Sequence, residues 1–337
     1  MGDMVTLSLT EVHELATSCL RKCGASEQQA RAVADTVTNA ERDDCKSHGL
    51  FRIPGFCASL NSGKVSGDAE PVVHDLAPAV VQVDANNGFA PLALELGAEP
   101  LASKAASQGI AALAVTNSYH FSALWPEVER LTDLGLVAFA FVSAQSFVAP
   151  AGGIKPLYGT NPMAFGWPRP NAPAVIFDQA ASASARGEIQ LHERDGKSIP
   201  DGWAIDAAGH PTNDPTEALA GAQLPFGGHK GAAIAMMIEL LAGSLIGEVL
   251  SFEATANDKP DGGPSSGGEF MIAIDPSRCG QPDGAALTHA ESLFSQILGQ
   301  DGTRLPSTRR YEARLTTPVT GITIVDSLYQ TLQKLNG

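Results

Sequence analysis

The chain has 337 residues, 44% hydrophobic and 18% charged, enough apolar material to bury a substantial core in one or two domains. Its 22 lysines and arginines stand against 37 aspartates and glutamates, a formal charge of -15 that repels phosphate backbones and anionic lipid and argues against nucleic-acid and membrane partners. The stretch "MGDMVTLSLTEVHELA" has early acidic residues and no unbroken apolar run of the signal-peptide kind; with no later window read as a membrane span, a cytoplasmic protein is expected.

From Thr10, "TEVHELATSCLRKCG" places Val12, Leu15, Ala16, Cys19, Leu20 and Cys23 on one helical face, with Thr10 as N-cap and Gly24 past the end. "SEQQARAVADTVTNAERDD" follows, with Ser26 and Gln29 in a capping-box pattern, so an antiparallel helix pair is predicted. After the linker-like "NSGKVSGDAEP", the runs "AVVQVDANNG", "PLALELGAEPLASKAASQG", "IAALAVTNS", "FSALWPEVERLTDLG" and "LVAFAFVS" read as a β-α-β-α-β series. "AVIFD" and "EFMIAID" add strands, "GAAIAMMIELLAGSLIG" a strong helix, and "SLYQTLQKL" a last helix that can return to the N-terminal pair. This texture predicts an α/β core around a mixed sheet. Cys19, Cys23, Cys45, Cys57 and Cys279 are odd in number and form no CxxC pair, which points to small buried side chains and not to disulfides or zinc.

No GxGxxG joins a strand to a helix and no Walker A is present. The nearest feature is "LPFGGHKGAAIAMMIELL", where Gly227 and Gly228 precede a helix whose first N–H groups can meet an anion, with Lys230 adding charge; a plain turn accounts for it as well.

The stretch "DDCKSHGLFRIPGF" carries the chemistry. His48 titrates near neutrality and can act as a general acid, Ser47 can orient it, and Arg52 offers a planar fork that matches a carboxylate. In a helix the four-residue spacing sets Arg52 beside His48. The plainer alternative is a loop histidine with a surface arginine paired to Asp43 or Asp44. His120 follows a predicted strand at its carboxyl end, where open α/β sheets bind ligands. Thr160 and Asn161 occupy a Gly/Pro loop able to set polar groups over a pocket, and Asp178 ends a strand ahead of small residues and Arg186-Gly187. Arg304, Arg309, Arg310 and Arg314 make a basic strip in an acidic chain, open both to a phosphate partner and to a solvated charge run.

Taken in order, "SHGLFRIPGF", "NSYHFSALWPEVERL", "APAGGIKPLYGTNPMAFGWPRP", "VIFDQAASASARGEI", "LPFGGHKG", "GGEFMIAIDPSR" and "RLPSTRR" resemble the malate/L-lactate dehydrogenase family with its non-Rossmann NAD(P) fold. The likeness is greatest to the family's reductases of Δ1-piperideine-2-carboxylate and Δ1-pyrroline-2-carboxylate, which use NADPH. The resemblance implies a homodimer. It also implies an α/β NADP-binding domain over 71–284, and a helical companion and dimerisation domain made of 1–70 and 285–337. By the same resemblance His48 is the proton donor, Ser47 its relay partner and Arg52 the carboxylate clamp, while Thr160, Arg186 and Gly187 line the substrate pocket. Cofactor-binding positions are His120, Phe121, Ser122, Ala123 and Leu124; Asp178, Gln179 and Ala180; His229 and Lys230; and Arg304, Leu305, Pro306, Ser307, Thr308, Arg309 and Arg310.

The chemistry of the residues agrees with this placement. A cyclic 2-imino acid has a carboxylate for Arg52, an electrophilic C2 for hydride and a nitrogen that must end protonated. Family members acting on hydroxy acids often read Asp-Ser-His-Gly, whereas here Cys45-Lys46 precede Ser47, which favours the imine reductases. The alternatives are a malate-, lactate- or ureidoglycolate-type 2-hydroxy acid dehydrogenase, a metal-dependent hydrolase in which His48, His120 and His229 converge, and a non-catalytic NADPH-binding protein. No HExxH or comparable spacing is present, so no metal is expected.

Overall fold

The computed structural model describes residues 3–280 and 284–337. The chain opens with a short strand, β1 (Met4–Leu7), and α1 (Leu9–Lys22). Ser8, not Thr10, is the N-cap: its hydroxyl takes the Glu11 N–H while the Glu11 carboxylate takes the Ser8 N–H, and this capping box starts the helix early. Ser26 caps α2 (Glu27–Arg42). Its reciprocal partner is missing because Gln29 is buried and spends its amide elsewhere, donating to the Ala69 carbonyl and accepting from the Phe89 N–H.

Two 3₁₀ turns, Lys46–His48 and Leu50–Arg52, lead to α3 (Ile53–Asn61). At the far end of the sequence β12 (Ile322–Val325) pairs antiparallel with β1, and α12 (Asp326–Asn336) lies on α1. These pieces share one core: Val12, Leu20, Val33, Val37, Phe56 and Leu332 are buried together.

The main sheet has seven strands in the order β2-β3-β4-β11-β5-β6-β7. Strands β2 (Val72–Ala77) and β3 (Val80–Asp84) form an antiparallel pair, and α4 (Ala90–Gln108) crosses from β3 to the parallel strand β4 (Ile110–His120). Next come α5 (Trp125–Asp133), β5 (Val137–Val142), β6 (Met163–Trp167) and β7 (Val175–Gln179). The predicted β-α-β-α-β series is present, but its last two strands do not pair. Strand β11 (Ser265–Ile274) enters between β4 and β5, antiparallel to both, so the sheet is mixed.

Both sheet faces are covered. Leu101 of α4 and Val128 and Leu131 of α5 pack with Val83, Leu113 and Val115 on one side. On the other lie Ile238 and Ala242 of α8 (His229–Ala242), against Phe141 and Phe270. The Gly/Pro-rich stretch between contains α6 (Arg186–Arg194), β8 (Ala204–Ile205), β9 (Pro211–Thr212), α7 (Pro215–Ala220) and β10 (Ala222–Gln223). It has a small core of its own around Ile189 and Ile199. Such short elements give no periodicity to read.

Two sequence expectations are corrected. The window His229–Ile246, with mean hydropathy 1.3, is long and apolar enough to cross a membrane. In the fold, α8 stops at Ala242, before Gly243, and carries the buried Glu239, which accepts hydrogen bonds from Asn161 Nδ2 at 2.7 Å and Ser251 N–H at 2.8 Å. Asn161 therefore serves this internal network and not a pocket rim. Beyond α9 (Ser251–Asn257), α10 (Ala285–Leu298) packs Phe294 against Val175 and Leu305 at the β7 edge, and α11 (Thr308–Thr320) follows.

Asp43, at the end of α2, joins three parts of the fold. Its carboxylate is buried and accepts from Arg314 of α11 at 2.6 and 2.7 Å, from Arg42 at 2.8 Å and from the Trp125 indole at 2.9 Å. Burial alone raises the Asp43 pKa, yet the two arginines more than offset it and hold the group below its usual range. Asp43→Asn is expected to destabilise the protein by about 3 kcal/mol, because Arg314 and Arg42 lose a buried counter-charge. Urea unfolding measures this, and a loss below about 1 kcal/mol would show that Glu129 alone holds Arg314.

Candidate active site

The stretch around His48 is not helical. Gly49 separates the two 3₁₀ turns because its Cα lies against the buried Glu41 carboxylate, which accepts the Leu50 N–H at 2.7 Å; a Cβ at 49 would overlap that carboxylate. Arg52 accordingly reaches its neighbours by folding back and not by a helical turn. Its Nε donates to the Ser47 carbonyl at 2.6 Å and its guanidinium carbon lies 3.9 Å from the centroid of the Phe121 ring.

Arg52 is buried, and among the described residues no carboxylate pairs with it; burial brings its pKa down to about 10. The surface-arginine alternative is thereby overturned, since Asp43 is taken by Arg42 and Arg314 and Asp44 faces Lys46.

His48 Nδ1 lies 3.0 Å from Ser47 Oγ and 3.5 Å from Cys45 Sγ. Burial raises the Cys45 pKa to about 11, so it stays a thiol. The hydroxyl and the thiol can both donate to Nδ1, and in that tautomer the ring's own proton is on Nε2. In the sequence Cys45 served only as a mark of the imine reductases, and its contact with His48 was missed because a lone cysteine otherwise reads as apolar filler. The available signal was its spacing of three residues from His48. Burial, then the charges of Arg52 and His120, lower the His48 pKa to about 3, so the ring is neutral.

Gly187, at the start of α6, closes the other side. A Cβ there would sit 2.5 Å from Arg52 Nη2 and 3.6 Å from Ser47 Cβ. Its neighbour Arg186 turns away: its guanidinium carbon lies 3.9 Å from the Phe147 ring centroid, and it donates to the Leu219 carbonyl at 3.2 Å. Thr160 supplies its carbonyl to the Ala181 N–H. Of the predicted pocket residues, Gly187 is thus brought onto Arg52, while Arg186 and Thr160 fix neighbouring loops.

The predicted cofactor segments form two groups. In the first, Leu124 and Trp125 N–H donate to Asp178 Oδ2 at 2.7 and 3.2 Å, so this carboxylate caps the start of α5. Burial raises the Asp178 pKa to about 6. Ser122 Oγ lies 3.1 Å from His120 Nε2, and Ala123 is buried beside them. Arg310 stacks on Trp125 at 4.2 Å and donates to Ser307 Oγ, whose hydroxyl donates to the Ile176 carbonyl; Thr308 donates to the Leu305 carbonyl. Leu305 anchors this run against Val175, whereas Arg304, Pro306 and Arg309 are exposed.

In the second group, Gln179 and Ala180 share an open cleft with Ser182, Ser184 and Phe226. Just beyond it, Gly227 and Gly228, with φ of 55° and 63°, turn the chain into α8, where His229 and Lys230 are exposed. The N–H groups of Lys230, Gly231 and Ala232 are taken by the Gly227, Phe226 and Gly228 carbonyls, so the expected ring of free donors at this helix start is not there, and it is Lys230 and the exposed arginines that suit a phosphate-bearing dinucleotide. His48, His120 and His229 form no ligand set; the group of potential ligands among the described residues is His120, Glu127 and Glu269.

Residues 7–333 match the family model described as malate/L-lactate dehydrogenase. The chain belongs to this family. It is therefore an oxidoreductase with the fold and the nicotinamide dependence of that family. It is 54% identical to a Delta(1)-pyrroline-2-carboxylate/Delta(1)-piperideine-2-carboxylate reductase of Pseudomonas aeruginosa, over 98% of this chain and 99% of the relative. A Delta(1)-pyrroline-2-carboxylate reductase of Ancylobacter novellus is 50% identical over 99% and 98%. Among solved structures, the delta1-piperideine-2-carboxylate reductase from Pseudomonas syringae pv. tomato superposes with a TM-score of 0.92 at 42% identity, covering 98% of this chain and 99% of that one. Sulfolactate dehydrogenase from Methanocaldococcus jannaschii gives 0.88 at 26%, covering 98% and 96%.

Because the folded His48 binds its proton far more weakly than the unfolded ring, its contribution to stability is full above pH 6.5 and is lost as pH falls toward 3. Asp178 acts oppositely, stabilising below 3.8 and losing that contribution as pH rises through about 6. His48→Gln is expected to flatten the acid-side loss by up to about 1.4 kcal/mol per pH unit. Urea unfolding across the window tests this; parallel curves for the two proteins would mean that His48 titrates normally.

Gly187→Ala is expected to push the Arg52 fork aside and raise KM by about tenfold or more with little change in fold. Steady-state kinetics beside circular dichroism measure it, and an unchanged KM would show that the fork tolerates displacement.

Proposed function

We propose that this chain is an NADPH-dependent reductase of cyclic 2-imino acids, converting Δ1-piperideine-2-carboxylate to pipecolate and Δ1-pyrroline-2-carboxylate to proline, a reaction of amino-acid metabolism. The observation that carries the reading is the buried Arg52 guanidinium, without a protein carboxylate, beside a neutral imidazole whose Nδ1 faces Ser47. The names of the full-length relatives point the same way.

Arg52 binds the substrate carboxylate through the edge not used by Ser47, which sets C2 and the ring nitrogen beside His48. Bound NADPH supplies the hydride to C2. In the complex His48 takes up a second proton from solvent, and as the C=N pair moves onto nitrogen the imidazolium delivers its Nε2 proton there and returns to neutral imidazole. Ser47 at Nδ1 stabilises the ring through the transfer and relays its reprotonation. The substrate carboxylate also cancels the Arg52 charge that depresses His48, so the imidazole holds a proton more readily in the complex than in the free protein.

The exposed Arg304 and Arg309 with Lys230 favour the 2′-phosphate of NADPH. We assign 71–284 to an α/β NADP-binding domain, and 1–70 with 285–337 to a helical companion that also dimerises and carries His48 and Arg52, with α10 lying across to β7. The apolar, exposed Met236, Leu240, Leu245 and Phe252 support a homodimer, which we place in the cytoplasm.

NADPH oxidation with piperideine-2-carboxylate and pyrroline-2-carboxylate is expected to exceed that with pyruvate; turnover of pyruvate alone would establish the 2-hydroxy acid dehydrogenase instead. His48→Ala is expected to lose roughly 100-fold or more in kcat while keeping NADPH affinity, and Arg52→Lys to act mainly on KM.

A further inference from the structure

Strand β11 carries an unusual residue at the centre of the sheet. Glu269 sits at the point where the β11–β4 register shifts, opposite Val115 on one side and Val142 on the other, and it is completely buried. Neither of its carboxylate oxygens has a hydrogen-bond partner, and the Oε2 of Glu127, on the first turn of α5, is buried without one as well. A buried carboxylate in this condition costs several kcal/mol unless something compensates it. Among the described residues neither glutamate meets a lysine or arginine; each pairs only with His120, which lies at the end of β4. Asp178 adds a third carboxylate to the neighbourhood, and its own cation, Arg310, lies on the far side over Trp125.

The distances are those of ligands sharing one atom. His120 Nε2 lies 3.3 Å from Glu269 Oε2 and 3.7 Å from Glu127 Oε1, and the three ligand atoms fall within 4.8 Å of one another. Metal–ligand bonds of about 2.0–2.2 Å in a tetrahedron separate neighbouring ligands by roughly 3.4 Å. We propose that His120, Glu127 and Glu269 bind one divalent cation of the zinc type, which compensates the buried glutamates.

One histidine and two carboxylates leave a fourth position, and the ion would take the place of the hydrogen bond that Ser122 Oγ now makes with His120 Nε2 at 3.1 Å. Glu127 also lines the cleft between α2, α4 and α5, which opens a path to it, although Arg31, paired with Asp35 and Glu95, and Arg130 neutralise most of the charge on its walls. His120 is also one of the expected cofactor positions and its charge bears on His48, so metal uptake and not turnover is what separates the ion from the reductase reading.

The test uses the full chain, stripped by dialysis against a chelator and re-equilibrated with Zn²⁺ alone near neutral pH. Elemental analysis after equilibrium dialysis is expected to find one more Zn²⁺ per chain in the wild type than in Glu269→Gln. Glu127→Gln, which alters a carboxylate at the cleft and spares the sheet, is expected to weaken that ion by about tenfold or more. Co²⁺ in place of Zn²⁺ is expected to give the visible absorption of a four-coordinate ion in the wild type and not in Glu269→Gln. Equal uptake by the wild type and both variants, or no uptake by the stripped wild type, would overturn the proposal and leave a proton shared between the glutamates as the compensation.

Discussion

The site depends on one backbone carbonyl. Ser47 O takes the Arg52 Nε–H, and with the Phe121 ring beneath the guanidinium it holds the charge in the interior without a carboxylate to neutralise it. A buried carboxylate in place of that carbonyl would stabilise Arg52 and occupy the fork that a ligand carboxylate needs. The carbonyl orients the group while leaving its charge uncompensated, and that remaining charge helps keep His48 neutral. One arrangement thus sets both the clamp and the resting state of the acid.

The fold distributes its other buried charges by the opposite rule. Asp43 is saturated by Arg314, Arg42 and Trp125, and Glu239 by Asn161 and Ser251. These groups join elements distant in sequence and have no capacity left for a ligand. Arg52, Glu269, Glu127 and one oxygen of Glu41 are left incompletely matched, and the first three lie about the β4 terminus, where His120 and Phe121 follow one another. Satisfied buried charge marks structure in this protein, and unsatisfied buried charge marks chemistry.

Much of this was legible in the sequence. Long amphipathic and apolar runs gave α1, α2, α4, α5 and α8 and the strands β3, β4, β5 and β11, since each buries a continuous face. The mixed character of the sheet was legible; the place of β11 was not, because strand order is set by pairing across more than a hundred residues. The short elements between Arg186 and Gln223 leave too few residues for a period to show. At the site, Ser47, His48 and Arg52 were found by residue type, but their geometry depends on Gly49 meeting Glu41, a contact absent from local spacing. Glu127 and Glu269, and the contact of Cys45 with His48, were passed over because each looks ordinary until its neighbours are known.

The position of β11 also constrains how the protein can be made. Its centre strand lies late in the chain, and the first and last strands pair with each other, Met4 opposite Val325. A nascent chain emerging from the ribosome cannot close its sheet until residue 274 is out, nor its helical layer until almost the last residue is free. Such high contact order slows folding and leaves β4 and β5 with open edges in the interval. Those edges are where premature self-association would begin during synthesis.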